Sequence, residues 1–441
     1  MLKNFRIWIV LGVAILLLTG CNMATVDKMY CLPERSQAHD DLQKVMNQAV
    51  SGFEYSAPVA GENRQIVQMV DLDGDGQEEY LLFAKGGTDK PLRIFVFTGY
   101  KGRYRLTDTI ESSGSAFDQV EYVPMNNRPG YELVVGCQVS DQVLGNLSVY
   151  TMVDGHMELS MSSSYTKFRC TDLTNNGLNE LLVLRPGDND SGNGIAELYS
   201  MDSDSVERSA EISMSRPSDN IKRIMLGKLN DGIPAVYVAS DVDSSAIITD
   251  VFALVDGSFT NVSFSSESGT SVKTLRNYYV YADDIDADGV LELPNLVNAG
   301  TSTDSESAAN DQYVVRWFAL QSDGSEINKK FTYHNFPGGW YLELNEKYAP
   351  RITVLQLGNT YQFLLWNKDF TKSEKIFSVY VLTGQKREEQ ALIDNRFVLH
   401  KGEATIYCAR LEVAADSVGI SREDLVDGFH MILKDWNTGE T

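Results

Sequence analysis

The sequence predicts an all-β chain folded as a β-propeller of six four-stranded blades, with a short helix on either side of it. Three observations predict this: an acidic segment that recurs about every fifty residues, β-branched and aromatic runs around each copy, and Gly-containing turns between those runs. At 441 residues the chain exceeds the roughly 250–300 at which a single hydrophobic core stops growing, which a repeat-built domain accommodates. With 43% hydrophobic residues it can bury a large core, so a disordered chain is excluded. The formal net charge of −23 repels phosphate backbones, so nucleic acid is not expected as a partner.

At the N-terminus, Lys3 and Arg6 precede an apolar run from Ile7 to Leu18, too short to cross a bilayer as a helix of about 20 residues. Residues 1–20 therefore read as a signal peptide. The run ends in Leu18-Thr19-Gly20-Cys21, which resembles the lipobox of bacterial lipoproteins. That resemblance implies lipidation of Cys21, cleavage just before it, and an exported protein held on the outer or periplasmic side of the bacterial cell membrane without spanning it. Residues 21–60 carry one helix, in which Leu42, Val45, Met46, Ala49 and Val50 recur at helical spacing. Cys31, Cys137, Cys170 and Cys408 remain after cleavage; they permit up to two disulfides in any of three connectivities, or stay as free thiols.

Next comes the repeat, over residues 61–415. Asp71-Leu-Asp73-Gly-Asp75-Gly76-Gln-Glu-Glu79 recurs as Asp284-Ile-Asp286-Ala-Asp288-Gly289-Val-Leu-Glu292, and in weaker form as Asp172-Leu-Thr174-Asn-Asn176-Gly177-Leu-Asn-Glu180. Two further copies, starting at Pro124 and Gly227, keep the frame but few of the acids. An apolar strand precedes each loop (Ile66–Val70, Ile221–Met225, Tyr278–Tyr281) and another follows it. A polar loop then leads to a third strand, and turns such as Val153-Asp-Gly155 and Val255-Asp-Gly257 lead to a fourth. Four antiparallel strands per period make a propeller blade.

A sixth unit lacks the acidic loop and takes its strands from Ile352–Leu357, Tyr361–Trp366, Ile376–Leu382 and Ala404–Cys408. A strand near Phe53-Glu-Tyr55 is expected to lie beside this last blade and close the ring, which leaves room for a seventh. Residues 416–441 end the chain as a helix: Ser421-Arg-Glu-Asp424 forms a capping box ahead of Leu425, Val426, Phe429, Ile432, Leu433 and Trp436.

The acidic loops carry the only chemistry with a clear pattern. Carboxylates at positions 1, 3, 5 and 9, with Gly at position 6, wrap oxygen around a hard cation of calcium size. Asp71, Asp73, Asp75 and Glu79 satisfy this, as do Asp284, Asp286, Asp288 and Glu292; the main-chain carbonyls of Gln77 and Val290 would add a ligand to each set. An EF-hand is excluded, because position 12 is Leu82 or Asn295 and the exit reads as a strand. The segments resemble the calcium loops of FG-GAP and VCBS-type β-propellers, found in integrin α-subunit heads and many exported bacterial proteins. The resemblance implies structural Ca2+ in the two complete loops. It implies weaker binding at Asp172, Asn176 and Glu180, where Thr174 replaces an acid; Pro124, Arg128, Gly227 and Ala235 depart from the ligand pattern in the other two loops, to which no metal is assigned.

Five histidines are scattered singly, and no zinc motif, nucleophile elbow or P-loop occurs. Trp340 and Tyr341, beside Phe336, read as a blade junction in preference to a sugar-stacking platform. The expected function is a non-enzymatic, calcium-stabilised binding platform on the cell envelope. Its long loops, Pro186–Gly194 and Asn298–Gln312, would meet a surface protein or glycan. Propeller-based polysaccharide lyases and glycosidases, and envelope assembly factors, are the alternatives.

Overall fold

In a computed structural model the described residues are 37–432, apart from 88, 101–102, 140–143, 188–191, 203–204, 244–245, 278–279, 298–313 and 336. Cys21, Cys31, residues 188–191 of the first long loop and the whole of the second lie outside them. Among the described residues no helix is long and apolar enough to cross a membrane.

Among the described residues, six consecutive antiparallel sheets account for nearly all of the regular structure. Sheet 1 contains β1 (Glu54–Tyr55), β2 (Val67–Val70), β3 (Glu79–Lys85), β4 (Leu92–Tyr100) and β5 (Arg103–Ser112). Sheet 2 follows with β6 (Ala116–Val123), β7 (Glu132–Gln138), β8 (Gly145–Val153) and β9 (His156–Tyr165). Sheet 3 has β10 (Lys167–Thr171), β11 (Glu180–Pro186), β12 (Gly194–Asp202) and β13 (Ser205–Ser213). Sheet 4 is formed by β14 (Ile221–Lys228), β15 (Pro234–Asp241), β16 (Ile247–Val255) and β17 (Ser258–Asn261). Sheet 5 is built from β18 (Leu293–Val297), β19 (Val314–Leu320), β20 (Glu326–Asn335) and β21 (Trp340–Leu344). Sheet 6 holds β22 (Ile352–Leu357), β23 (Thr360–Trp366), β24 (Ser373–Thr383), β25 (Phe397–Lys401) and β26 (Thr405–Leu411), with β25 on the outer edge. Tight turns join the outer strands where Asp154-Gly155 and Asp256-Gly257 both take positive φ.

Side chains alternate across each strand, so every central sheet buries one face on its predecessor and the other on its successor. Phe83 and Val96 of sheet 1 meet Phe117 and Val135 of sheet 2, and Val134 and Val149 of sheet 2 meet Leu181 and Val183 of sheet 3. Leu182 and Leu198 then pack on Val236 and Phe252, Tyr237 and Val251 on Leu293 and Phe318, and Tyr333 and Trp340 on Phe363 and Phe377.

The two terminal faces are covered differently. Helix α1 (Gln37–Ala49) lays Leu42 and Met46 over Leu82, Ala84, Phe95 and Phe97 of sheet 1, while its Gln43, Lys44, Asn47 and Gln48 face solvent. On sheet 6, Leu382, Ile406 and Cys408 are covered by Ala391, just after the short helix α2 (Arg387–Gln390), and Arg396 lies 4.0 Å over the Tyr380 ring. Among the described residues no hydrophobic cluster combines sheets 1 and 6.

Three expectations need correction. Glu54 and Tyr55 do not lie beside the last sheet; they pair with Lys85 and Ala84 of β3, next to β2 in sheet 1. Of the strand expected at Tyr278–Tyr281, the first two residues lie outside the described ones, and Val280 and Tyr281 are not in a strand. The approach segment spends its backbone elsewhere: the N–H groups of Ile247 and Arg276 each donate to the other's carbonyl at 2.9 Å, leaving one bridge, Asp283 to Glu292, at the fifth loop. Nor does the C-terminal helix run on. Helix α3 (Arg422–Asp427) has the expected capping box, with Ser421 Oγ accepting from Asp424 N, but it stops before Gly428. Strand β27 (Phe429–Met431) then adds to the open edge of β21, because an unpaired edge satisfies its backbone and Phe429 stacks on Trp340 at 5.3 Å. Cys137, Cys170 and Cys408 are free thiols.

Candidate metal centres

Each acidic loop joins the first two strands of a sheet, or in sheet 5 the bridge at Asp283 to β18. The aspartate at position 1 holds the turn closed. Asp71 accepts N–H bonds from Gly74 (2.8 Å) and Gly76 (3.0 Å), Asp172 from Asn176 (3.1 Å) and Gly177 (2.7 Å), and Asp284 from Asp288 (3.0 Å) and Gly289 (2.9 Å). Gly76, Gly177 and Gly289 sit at φ between 83° and 87°, a conformation that an L side chain opposes. Position 4 is also left-handed, and there the fifth loop carries Ala287 at φ 61°. Ala287→Gly is therefore expected to stabilise the protein by about 0.5–1 kcal/mol, the difference between relieved strain and added chain entropy. A thermal midpoint unchanged or lowered by this substitution would contradict the strain argument.

The glutamate at position 9 has a second role that the sequence reading missed. Glu79, Glu132 and Glu180 begin β3, β7 and β11, and Oε2 of each accepts the backbone N–H of position 2: Leu72 at 2.9 Å, Met125 at 2.8 Å and Leu173 at 2.8 Å. Ile285 gives the same bond to Glu292 at 3.0 Å. The partners Leu72, Met125 and Leu173 are core plugs, so an unpaired N–H there would cost about 1–3 kcal/mol. The signal was present in the second loop, where Glu132 persists although positions 1, 3 and 5 are Pro124, Asn126 and Arg128.

Two loops go further. Asp71, Asp73 and Glu79 each offer a carboxylate oxygen within 4.8 Å of the others, and so do Asp284, Asp286 and Glu292. Ligands on opposite sides of a calcium ion lie about 4.6–5.2 Å apart, so each trio has room for one. Asp75 and Asp288 stand outside these trios: Asp75 accepts from the N–H and side-chain amide of Gln77, and Asp288 accepts from the Val290 N–H and from Lys329. At Gln77 and Val290 it is the N–H groups that these bonds engage.

The donor chemistry fits a hard cation. Glu292 is fully buried, and its Oε1 has no hydrogen-bond partner, an expensive arrangement for a carboxylate unless a cation sits against it. Burial pushes Glu79 up to about 7 against the pull of the Leu72 N–H, and the charges of Asp73, Asp75 and Asp71 add to the rise. Glu292 is raised to about 7, first by burial and then, against the Ile285 N–H, by Asp286 and Asp288. When bound, a cation would neutralise this crowding and fix the turn.

The other loops lack such a trio. In the third, Thr174 Oγ1 donates to Asp172 (3.3 Å) and Asn176 Oδ1 accepts from Leu178 N (2.7 Å), so Asp172, Asn176 and Glu180 are joined by the loop's own bonds. In the second, burial raises Glu132 above the usual carboxylate range, against the pull of the Met125 N–H and the smaller one of the Arg128 charge. Neighbouring loops also touch. Tyr131 N donates to Leu72 O (3.1 Å), Asn179 N to Pro124 O (2.7 Å) and Leu291 N to Lys228 O (3.2 Å), so position 8 of one loop binds the start of the loop before it. Pro234 holds that position in the fourth loop and has no N–H to give. Gly74 packs so closely on the second loop that a Cβ there would lie 2.2 Å from Pro129 Cβ.

No family model matches the chain, and no curated protein matches it. Among solved structures it is similar to the exotype rhamnogalacturonan lyase YesX, at 10% identity and a TM-score of 0.30, over 76% of this chain and 85% of that one. It is similar to a protein from Lactobacillus plantarum at 11% identity and a TM-score of 0.26, over 72% of this chain and 85% of the other. A rhamnogalacturonan lyase of Bacillus licheniformis gives 9% identity and a TM-score of 0.30, over 74% and 82%. Likeness at this level carries no argument about activity.

Proposed function

We propose that the protein is an exported lipoprotein, anchored through Cys21, whose six sheets form a propeller-like, FG-GAP- or VCBS-type platform stabilised by structural calcium in its first and fifth acidic loops. The platform is non-enzymatic and presents loops between strands to a surface protein or glycan. One observation carries the calcium reading: Asp71, Asp73 and Glu79, and again Asp284, Asp286 and Glu292, converge at ion-coordinating separations in two loops of one design. Burial of the glutamate alone does not mark these loops, since Glu132 and Glu180 are buried as well; what supports the reading is the convergence of each trio and the buried, unpartnered Oε1 of Glu292.

Thermal unfolding of the whole chain, after chelation and in millimolar calcium, tests this reading. A ligand that binds only the folded state at about a hundred times its Kd adds about 2.7 kcal/mol per site, so calcium should raise the midpoint by several degrees. The double variant Asp73→Ala/Asp286→Ala should lose that rise. Wild type that melts at the same temperature with and without calcium would overturn the metal assignment. Depolymerisation of a polysaccharide by the purified protein would replace the platform with an enzyme.

A further inference from the structure

The two trios differ in one respect. Lys329, on β20 of the same sheet, places Nζ 2.9 Å from Asp288 Oδ2 with its side chain only 17% exposed, and the next residue, Lys330, donates to the Ile285 carbonyl at 3.4 Å. At the first loop the equivalent oxygen, Asp75 Oδ2, accepts from the neutral amide of Gln77 at 3.2 Å. The fifth loop thus carries its own cation on Asp288, in the same loop as the buried, unpartnered Glu292 Oε1.

We propose that Lys329 is a resident counter-cation that regulates the fifth loop. It offsets part of the loop's negative charge in the absence of metal and repels an incoming dication, making this the weaker calcium site and the first loop the tighter one. This rests on the calcium reading above. At a protein surface, one unit charge a few ångströms from a dication is enough to change affinity about tenfold or more. The side chain competes for Asp288 without occupying the Asp284, Asp286 and Glu292 oxygens, so binding is weakened and not abolished.

The test is calorimetric titration of the whole, chelator-treated protein with calcium chloride. Wild type should show two affinities, and Asp286→Asn should remove the weaker. Lys329→Met should tighten the weaker site about tenfold and leave the tighter one unchanged, while Lys329→Arg, which keeps the charge, should reproduce wild type. Unchanged affinities in Lys329→Met would overturn the role of Lys329 alone, as would loss of the weaker site in Asp73→Asn. No calcium uptake by wild type would overturn the calcium reading and this proposal with it.

Discussion

Calcium should bind about thirtyfold more tightly near pH 8 than near pH 5.5, through the single glutamate buried in each trio. Glu79 and Glu292 titrate at about 7 in the folded protein, chiefly because burial disfavours their charged forms. At the lower pH only a few per cent of either is ionised and able to coordinate; at the higher pH most of it is. The stability effect without metal has the opposite sign. A carboxyl whose pKa is raised on folding favours the folded state fully below its ordinary value of 4.5, and that contribution is lost as pH rises through about 7. The chelated protein should therefore melt at a lower temperature at pH 8 than at pH 5.5 on account of these groups, and calcium should recover most of the loss. Calorimetric titrations at the two pH values, paired with melting curves, check both signs. An affinity indifferent to pH would mean that neither glutamate coordinates the ion.

The loops were legible in the sequence because their frame is set by backbone geometry. In the first, third and fifth loops Asp at position 1 accepts the N–H of Gly at position 6 and closes the turn whether or not an ion is present, so the spacing survives in the third loop after Thr174 has replaced an acid. The sheets followed for a similar reason: a period of about fifty residues leaves room for four strands and their turns. What could not be read was decided by competition for unpaired backbone. Phe429, Ile432 and Leu425 share a helical stripe, yet the β21 edge and the Trp340 ring draw Phe429–Met431 into a strand. The segment before the fifth loop is apolar enough for a strand, yet Arg276 pairs with Ile247 of sheet 4. Lys329 was invisible as a site residue, since only the β20 register brings a residue more than forty positions away onto Asp288.

Trp340→Ala should be the most destabilising of the substitutions considered, by about 3–5 kcal/mol, because a fully buried indole joins three parts of the fold. Its ring centroid lies 5.4 Å from that of Tyr333 in its own sheet, 5.3 Å from Tyr361 in sheet 6, and 5.3 Å from Phe429 in the C-terminal strand. Among the described residues sheet 5 has only the Asp283–Glu292 bridge ahead of its loop, and it takes a strand from the far end of the chain, so this cluster also fixes β27 in place. The indole Nε1 is buried without a hydrogen-bond partner, whereas Trp317 donates its Nε1 to Thr332 Oγ1 at 2.7 Å. Trp340→Phe, which removes that orphan donor and keeps an aromatic ring, should cost about 1–2 kcal/mol, well below the alanine variant. Thermal unfolding followed by circular dichroism separates the two. A Trp340→Ala protein as stable as wild type, but deficient in binding a glycan, would mean that this ring is a stacking surface and that the junction between sheets 5 and 6 is held by something else. The buried ring and its three-sided packing favour the loss of stability.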